Sequence, residues 1–463
     1  MLNEHSKVHM VGIGGIGMSG LAQLLAAIGC RVSGSDRDSD KPQNRALFDA
    51  LRSQGIAVYP QDGSFAAAGL PDAVIYSTAV EEGNPDFVAA GDSPRLHRSQ
   101  ALEQAVNLYA AGATLAVTGS SGKTSVTAYV AEALNLLGIK AGCLDGGMVR
   151  NFCVGDMPGN FHPGRDIFVF EADESDKSLL NYEVDYAVIL NIGCDHYSEE
   201  ELARVFGEFT RRVRKGVAMS GRVFAAVRSY LRPELEMVTF AENSGEPDVD
   251  FSFDRYRVDN GRAFADLNGE FALALPQPGV HTASNLAAVA AALSMLGVPA
   301  GRLADISGDL RGASRRFEFV GRRNGAPVYD DYAHNPQKLA CCLRSAQSLA
   351  SGRVFMIWQP HGYGPLGFMR EELGRSLRAT LRGQDVFWLL EPFYAGGTSS
   401  FSPHAAEVAD HWAIPNAGAP GDRAAVEALL AAAEPGPGDL IMVCGARDNT
   451  IPEWANSLTR GGR

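Results

Sequence analysis

The amino-acid sequence predicts an α/β protein in three segments, each built on a mostly parallel sheet with flanking helices. Three observations carry that expectation. Short apolar strands alternate with amphipathic helical stretches for most of the length, the pattern of βα units around parallel sheets. Two glycine-rich turns each follow a strand and open a helix, where α/β folds bind phosphate. The 463 residues are also too many for one compact core.

The first segment, expected over residues 1–107, starts with the apolar strand Val8 to Ile13. A helix follows with Met18, Leu21, Leu25 and Ile28 on one face, then strands at Arg31 to Ser35 and Ala73 to Ser77. The second, over 108–313, opens with the strand Thr114 to Val117. Its first helix has Val126, Val130, Leu134 and Leu137 on one face and Gly138 as a stop. Buried strands follow at Ile167 to Phe170 and Ala187 to Ile192. Asp259-Asn260-Gly261 and Asn268-Gly269 then predict antiparallel hairpins, and an Ala- and Leu-rich helix from about Ala283 to Leu296 closes the segment. The third, over 314–463, carries strands at Val328 to Tyr332, Val354 to Trp358, Asp385 to Leu390 and Leu440 to Val443. Pro415 to Gly421, rich in Pro and Gly, reads as a surface loop.

A formal net charge of −13 argues against a nucleic-acid surface, which needs clustered Lys and Arg. Seven cysteines, an odd count with no C-x-x-C pair, read as reduced thiols rather than a disulfide framework or a zinc ribbon. The opening MLNEHSKVHMVG runs almost directly into a strand without a signal-peptide layout, and no apolar run is long enough to span a bilayer. The expectation is a cytoplasmic protein with no membrane partner; the sequence does not fix an oligomeric state.

The strongest chemical motif is Gly119-Ser120-Ser121-Gly122-Lys123-Thr124-Ser125, between a strand and an amphipathic helix. Glycines let the backbone curl so that successive N–H groups face phosphate oxygens, and the helix N-terminus adds positive potential. Lys123 then reaches the β- and γ-phosphates of a nucleotide, and Thr124 ligates Mg²⁺. Val117 stands where such loops usually have their first glycine. A plain strand-to-helix turn with a surface lysine is the alternative, and the flanking elements favour the phosphate loop.

The second glycine loop, Gly12-Ile13-Gly14-Gly15-Ile16-Gly17, is followed by Asp36 at the end of the next strand. Alone it reads either as a dinucleotide fingerprint, with the acid on a ribose hydroxyl, or as tight helix–sheet packing. Two such loops in successive segments favour two different phosphate ligands. Carboxylates gather at Glu171-Ala-Asp173-Glu174-Ser-Asp176, and Asn191-Ile-Gly-Cys-Asp195-His196 ends the following strand. Hard carboxylate oxygens at strand tips beside a phosphate loop suit Mg²⁺.

In order, GIGGIGMSGLA, TGSSGKTS, EADESD, NIGCDH, GVHTASN, SRRFEFVG, DDYAHNP and QPH span nearly the whole chain. Together they resemble the Mur ligases, nearest the branch that joins L-alanine to UDP-N-acetylmuramate, with the muropeptide-recycling ligases a near relation. The resemblance implies three domains: a Rossmann-like UDP-binding domain, a central ATPase domain and a Rossmann-like C-terminal domain. It also implies an ATP- and Mg²⁺-dependent amide-bond-forming activity in cell-wall precursor synthesis.

By the resemblance, Gly12, Gly14, Gly15, Ile16 and Gly17 hold the UDP pyrophosphate, with Ser35, Asp36 and Ser77 nearby. Glu171 joins Thr124 on Mg²⁺, and His196 serves a second metal position. Asn285 lies on adenine beside His281, Arg316 reaches the phosphates, and Asp331 meets the nucleotide. Tyr332, His334 and His361 face the acceptor and the incoming amine.

The sequence departs from that pattern at Ser121 and Thr282, and most of all in QPHGYGPLGF. Gly362 and Pro365 stand where the resemblance expects arginines near the amino-acid carboxylate. An Arg–carboxylate fork is a large share of how a small zwitterion is held. Arg370, further along, is a candidate substitute. Two other functions follow from these departures: addition of a peptide instead of a single amino acid, or nucleotide binding without catalysis. Elsewhere the expectations are structural: Cys341-Cys342 on a buried helix face, Trp358 and Trp388 in the core or a pocket wall, and Cys444-Gly-Ala-Arg447-Asp448 as a simple loop, with approach to a ligand as the alternative.

Overall fold

The computed structural model describes residues 1–174, 178–193, 197–394 and 401–460. The chain divides into two compact units. One comprises Met1–Tyr256, Phe264–Pro276 and Val280–Ser314; the other begins at Arg315 and also takes in Arg257–Ala263 and Gln277–Gly279.

The first unit holds two parallel sheets. Strands β1 (Lys7–Val11), β2 (Arg31–Asp36), β3 (Ala57–Pro60), β4 (Ala73–Tyr76) and β5 (Arg95–His97) form a sheet in the order β3-β2-β1-β4-β5. The central β1 is almost wholly buried, as a strand with covered faces must be. Its chain runs through the first glycine loop into the helix Ile16–Ile28, where Met18, Leu21 and Leu25 pack inward.

The second sheet contains β6 (Ala113–Thr118), β7 (Ala141–Leu144), β8 (Phe161–His162), β9 (Ile167–Glu171), β10 (Val184–Ile189), β11 (Val213–Ser220) and β12 (Glu236–Phe240). Its order is β12-β11-β10-β6-β9-β7-β8. Its neighbouring strands pair in parallel except the edge pair β7–β8. The neighbours β9, β6 and β10 point their carboxyl ends the same way, so the turns after them converge. The helix Lys123–Leu136 leaves the tip of β6 with Val126, Val130 and Leu134 fully buried, and Gly138 at φ 85° follows its end.

Strands β13 (Phe253–Asp259), β14 (Arg262–Leu267) and β15 (Phe271–Ala274) form a small sheet, with β14 and β15 antiparallel. Asn260-Gly261, the two residues between β13 and β14, and Asn268-Gly269, in the three-residue loop between β14 and β15, hold the positive φ that such tight turns demand.

In the second unit, β16 (Glu318–Arg323), β17 (Ala326–Asp331), β18 (Val354–Gln359), β19 (Val386–Leu390), β20 (Ala417–Gly421) and β21 (Leu440–Gly445) line up as β16-β17-β21-β18-β19-β20. Only β16 is antiparallel to its neighbour. Apolar clusters cover both faces: Trp358, Met356 and Leu389 on one, Phe355, Ile357 and Trp388 on the other. The expected loop at Pro415 to Gly421 is corrected here: from Ala417 it is a strand, paired with β19 through Phe387↔Ala417. An edge strand needs no ladder N–H on its outer side, so it tolerates Pro420 and the glycines that hid it. Among the described residues no helix is long and apolar enough to cross a membrane.

Candidate active site

The glycine turn after β6 is built to be approached. Gly119 has φ 137° and Gly122 φ 84°. A Cβ on Gly119 would lie 2.9 Å from Leu190 Cβ, and one on Gly122 would lie 2.9 Å from Asn285 Oδ1. The loop is therefore clamped between the tip of β10 and the helix Val280–Met295. Cross-links fix it: Ser121 N donates to Asn191 Oδ1 at 2.9 Å, Asn191 Nδ2 donates to Ser121 O at 3.1 Å, and Gly193 N donates to Ser120 Oγ at 2.9 Å. Ser125 continues the helix one residue beyond Thr124 and is half-buried.

Lys123 bends back over this loop. Its Nζ donates to Gly119 O at 2.9 Å and to Glu174 Oε2 at 2.7 Å, with Asp173 Oδ1 at 4.0 Å. Burial alone would lower its pKa; the carboxylates of Glu174, Glu171 and Asp173 outweigh that and hold it above the ordinary value. Thr124 Oγ1 lies 3.0 Å from Glu171 Oε2, which also accepts Gly146 N–H at 3.0 Å. A hydroxyl and a carboxylate oxygen converging beside a phosphate loop are the hard donors Mg²⁺ takes, so these residues fit a magnesium–nucleotide. His196, expected at a second metal position, lies outside the described residues, as do Asp176 and Asp195.

The first glycine loop belongs to the same unit. Gly12 N and Ile13 N donate to Ser35 O at 2.8 and 3.0 Å, and Gly14 N donates to Asp36 Oδ2 at 2.8 Å. Asp36 Oδ1 accepts Asp38 N–H at 2.9 Å, so both carboxylate oxygens already hold backbone. Gly15 caps the helix Ile16–Ile28 with no side-chain hydrogen bond. Ser77 follows β4, half-buried, and its carbonyl closes a turn to Val80 N at 3.1 Å.

In the second unit the candidate residues lie in the segments that flank the ends of neighbouring strands. Arg315 and Phe317 sit at φ 59° and 47°, a backbone conformation that needs support. Asp331 supplies part of it, accepting Phe317 N–H and Ala333 N–H at 2.7 Å each. Arg316, between the two strained residues, lies over the Tyr332 ring at 5.2 Å. His334 Nδ1 is 3.0 Å from Tyr332 O, so Nδ1 carries the proton and Nε2 is left as acceptor, 3.5 Å from Lys338 Nζ. Burial first, then the charge of Lys338, pushes His334 down to about 4. The His361 ring lies 5.5 Å from that of His334 and is also lowered, by burial, Arg447 and Lys338.

Three family models match in order: the Mur ligase family catalytic domain over residues 7–110, the Mur ligase middle domain over 117–293, and the Mur ligase glutamate ligase domain over 315–447. The chain belongs to the Mur ligase family. It is 34% identical to the UDP-N-acetylmuramate–L-alanine ligase of Clavibacter michiganensis subsp. michiganensis over 474 residues, covering 99% of this chain and 94% of that one. The protein of the same name in Rhizobium meliloti is 31% identical over 481 residues, covering 98% and 96%. Among solved structures, the UDP-N-acetylmuramate-alanine ligase of Thermotoga maritima matches with a TM-score of 0.78 at 24% identity, over 98% of this chain and 99% of that one. A murein peptide ligase of Psychrobacter arcticus matches at 0.67 and 20% identity over the same shares, a likeness of fold.

For a Mur ligase, the structure gathers Gly119 to Thr124, Glu171 and Asn285 in the first unit, and Arg316, Asp331, Tyr332, His334 and His361 in the second. His281 stands exposed on the first turn of the helix Val280–Met295, one turn from Asn285. Thr282 is buried, its hydroxyl without a partner among the described residues. Arg370 is exposed and paired with Glu371 at 3.2 Å. Sequence reasoning missed Arg98: its Nη2 donates to Asp173 Oδ2 at 3.1 Å, and a Cβ on Gly17 would lie 3.2 Å from its Nη1, so it links the two loops. It also missed Glu174 as the partner of Lys123, and Lys338 and Arg447 beside the histidines.

Proposed function

We propose that this Mur ligase uses ATP to join the carboxylate of UDP-N-acetylmuramate to the amino group of L-alanine. The observation that carries the ATP half is the phosphate loop, with Lys123 bent over it and Thr124 against Glu171. Likeness over nearly the full length to ligases named for that reaction supports the two substrates.

In this reading Gly12 to Gly17, with Ser35, Asp36 and Ser77, take the UDP end. The nucleotide's phosphates lie along Gly119 to Ser125, with adenine toward Asn285 and His281, and the nucleotide roles of Asp331 and Arg316 are those the family resemblance implies. The muramyl carboxylate attacks the γ-phosphate, giving an acyl phosphate and ADP. The amine then attacks the acyl carbon, and phosphate leaves with the bonding electron pair. Thr124 and Glu171 would hold Mg²⁺, which would supply countercharge. Carboxylate and triphosphate repel each other, so neutralisation by Lys123 and Arg316 is the largest contribution of the chain itself. Tyr332, His334 and His361 border the amine; His334 stays neutral and offers Nε2 as a hydrogen-bond acceptor.

The test is phosphate release with UDP-N-acetylmuramate, ATP, Mg²⁺ and a panel of amino acids. ADP should appear only when all partners are present, with L-alanine giving the highest kcat/KM. Silence with every amine would sink the reading. A second reading, peptide addition, draws on the uncharged Gly362 and Pro365 at the start of the helix Tyr363–Thr380. Product mass separates the two.

A further inference from the structure

Strand register in the second unit brings three loops together. β21 lies between β17 and β18, paired in parallel through Asp331↔Cys444 and Gln359↔Gly445. His334 is three residues past Asp331, Arg447 two past Gly445 and His361 two past Gln359. All three leave neighbouring carboxyl ends, where open parallel sheets take ligands. Lys338 joins them from the first turn of the helix Pro336–Leu349, its Nζ 3.5 Å from His334 Nε2.

Two cations bear on this crevice. Lys338 and Arg447 both bear on His361 and, with burial, lower its pKa, and His334 beside it is pushed down to about 4. The nearby acids are engaged: Asp448 with Arg423 at 2.7 Å, Asp330 with Arg315 at 3.0 Å, and Asp331 with two backbone N–H groups. Among the described residues no carboxylate lies within ion-pair distance of the exposed Arg447. His361 Nδ1 is buried and has no hydrogen-bond partner among them. Gly362 and Pro365, which follow His361, add no charge of their own.

We propose that Arg447 and Lys338 are the specificity-determining cations of the amine site, binding the α-carboxylate of a free amino acid beside His361. The assignment rests on the ligase reading above. It replaces the loop expected at Cys444 to Asp448 with a ligand contact, and it places the carboxylate's countercharge on the loops after β17 and β21 instead of the one after β18. A peptide, whose carboxylate lies farther from its amine, would not satisfy this geometry.

The experiment uses the full chain with L-alanine and L-alaninamide, which has the same amine but no charge at the far end. The wild type should favour L-alanine by about a hundredfold in kcat/KM, two charge-assisted contacts at about tenfold each. Arg447→Ala and Lys338→Ala should each raise the KM for L-alanine about tenfold, leave the KM for ATP within about twofold, and narrow the preference over the amide. Arg447→Lys should recover part of the loss, and unchanged melting temperatures would show that the fold is intact. If ligation proceeds but both alanine variants keep the wild-type KM and preference, this assignment is overturned and the ligase reading stands. If the wild type ligates no amine, both fall.

Discussion

The carboxylate of Glu132 accepts the backbone N–H of Gly312 at 2.9 Å, and that of Arg311 at 3.1 Å. This joins the middle of the helix Lys123–Leu136 to the segment that ends the first unit. Neighbouring bonds finish the splice: Arg150 N to Gly312 O at 2.9 Å and Ser314 N to Met148 O at 2.8 Å. Glu132 is 1% exposed, and burial lifts its pKa to about 7 against the pull of those N–H groups. The folded value lies above the unfolded one, so its contribution to stability is whole below the unfolded pKa and is lost as pH rises through about 7. The melting temperature of the wild type should therefore fall, relative to Glu132→Gln, between about pH 5 and pH 8. Parallel curves would refute this. Glu132→Ala, which orphans two buried donors, should cost about 2–3 kcal/mol in urea melts.

Lys123→Ala should abolish turnover, by at least about a hundredfold in kcat, because the γ-phosphate loses its nearest cation. UDP-sugar binding, measured by calorimetry without ATP, should stay close to wild type. Loss of both together would contradict two separate phosphate sites.

Gly122→Ala puts a methyl 2.9 Å from Asn285 Oδ1 at a φ of 84°. It should cost about 1–3 kcal/mol and weaken ATP more than UDP-sugar. A variant with wild-type ATP affinity would show that the loop does not need this backbone.

Glu171→Gln keeps the shape of the side chain but removes its charge. The Mg²⁺ concentration for half-maximal phosphate release should rise about tenfold or more, and chelation of the metal should stop release altogether. Activity persisting in excess chelator would remove Mg²⁺ from the scheme.

His334, pushed down to about 4, should be neutral throughout the working range. Its folded pKa lies below the unfolded one, so its contribution to stability is present above about 6.5 and is lost as pH falls toward about 4. Proton NMR of its imidazole should show no titration between about pH 6 and pH 8; a midpoint there would mean that Lys338 and burial do not control it.

Strands that are buried on both faces were legible in the sequence, because β1, β6, β9, β18 and β21 read as continuous apolar runs. Of the strands that escaped, β3, β5, β8, β12, β16 and β20 are short or half-exposed, while β7 and β11, though largely buried, are interrupted by Gly142 and by Arg214-Lys215-Gly216. Both glycine loops were legible because their backbones demand glycine. Arg98, Glu174, Lys338 and Arg447 were not. Arg98 meets Asp173 across 75 residues of sequence, and Arg447 comes to bear on His361 through strand register, which only the assembled sheet sets.

The pairing of Lys123 with Glu174 bears on which guests the loop admits. A resting ammonium that already has an anion at 2.7 Å is not a bare hook. Lone orthophosphate offers little that the glutamate does not, whereas a triphosphate arriving with its own divalent escort can engage the whole row of loop amides at once. In the ligase reading, Glu174 would compete with any incoming phosphate for Lys123.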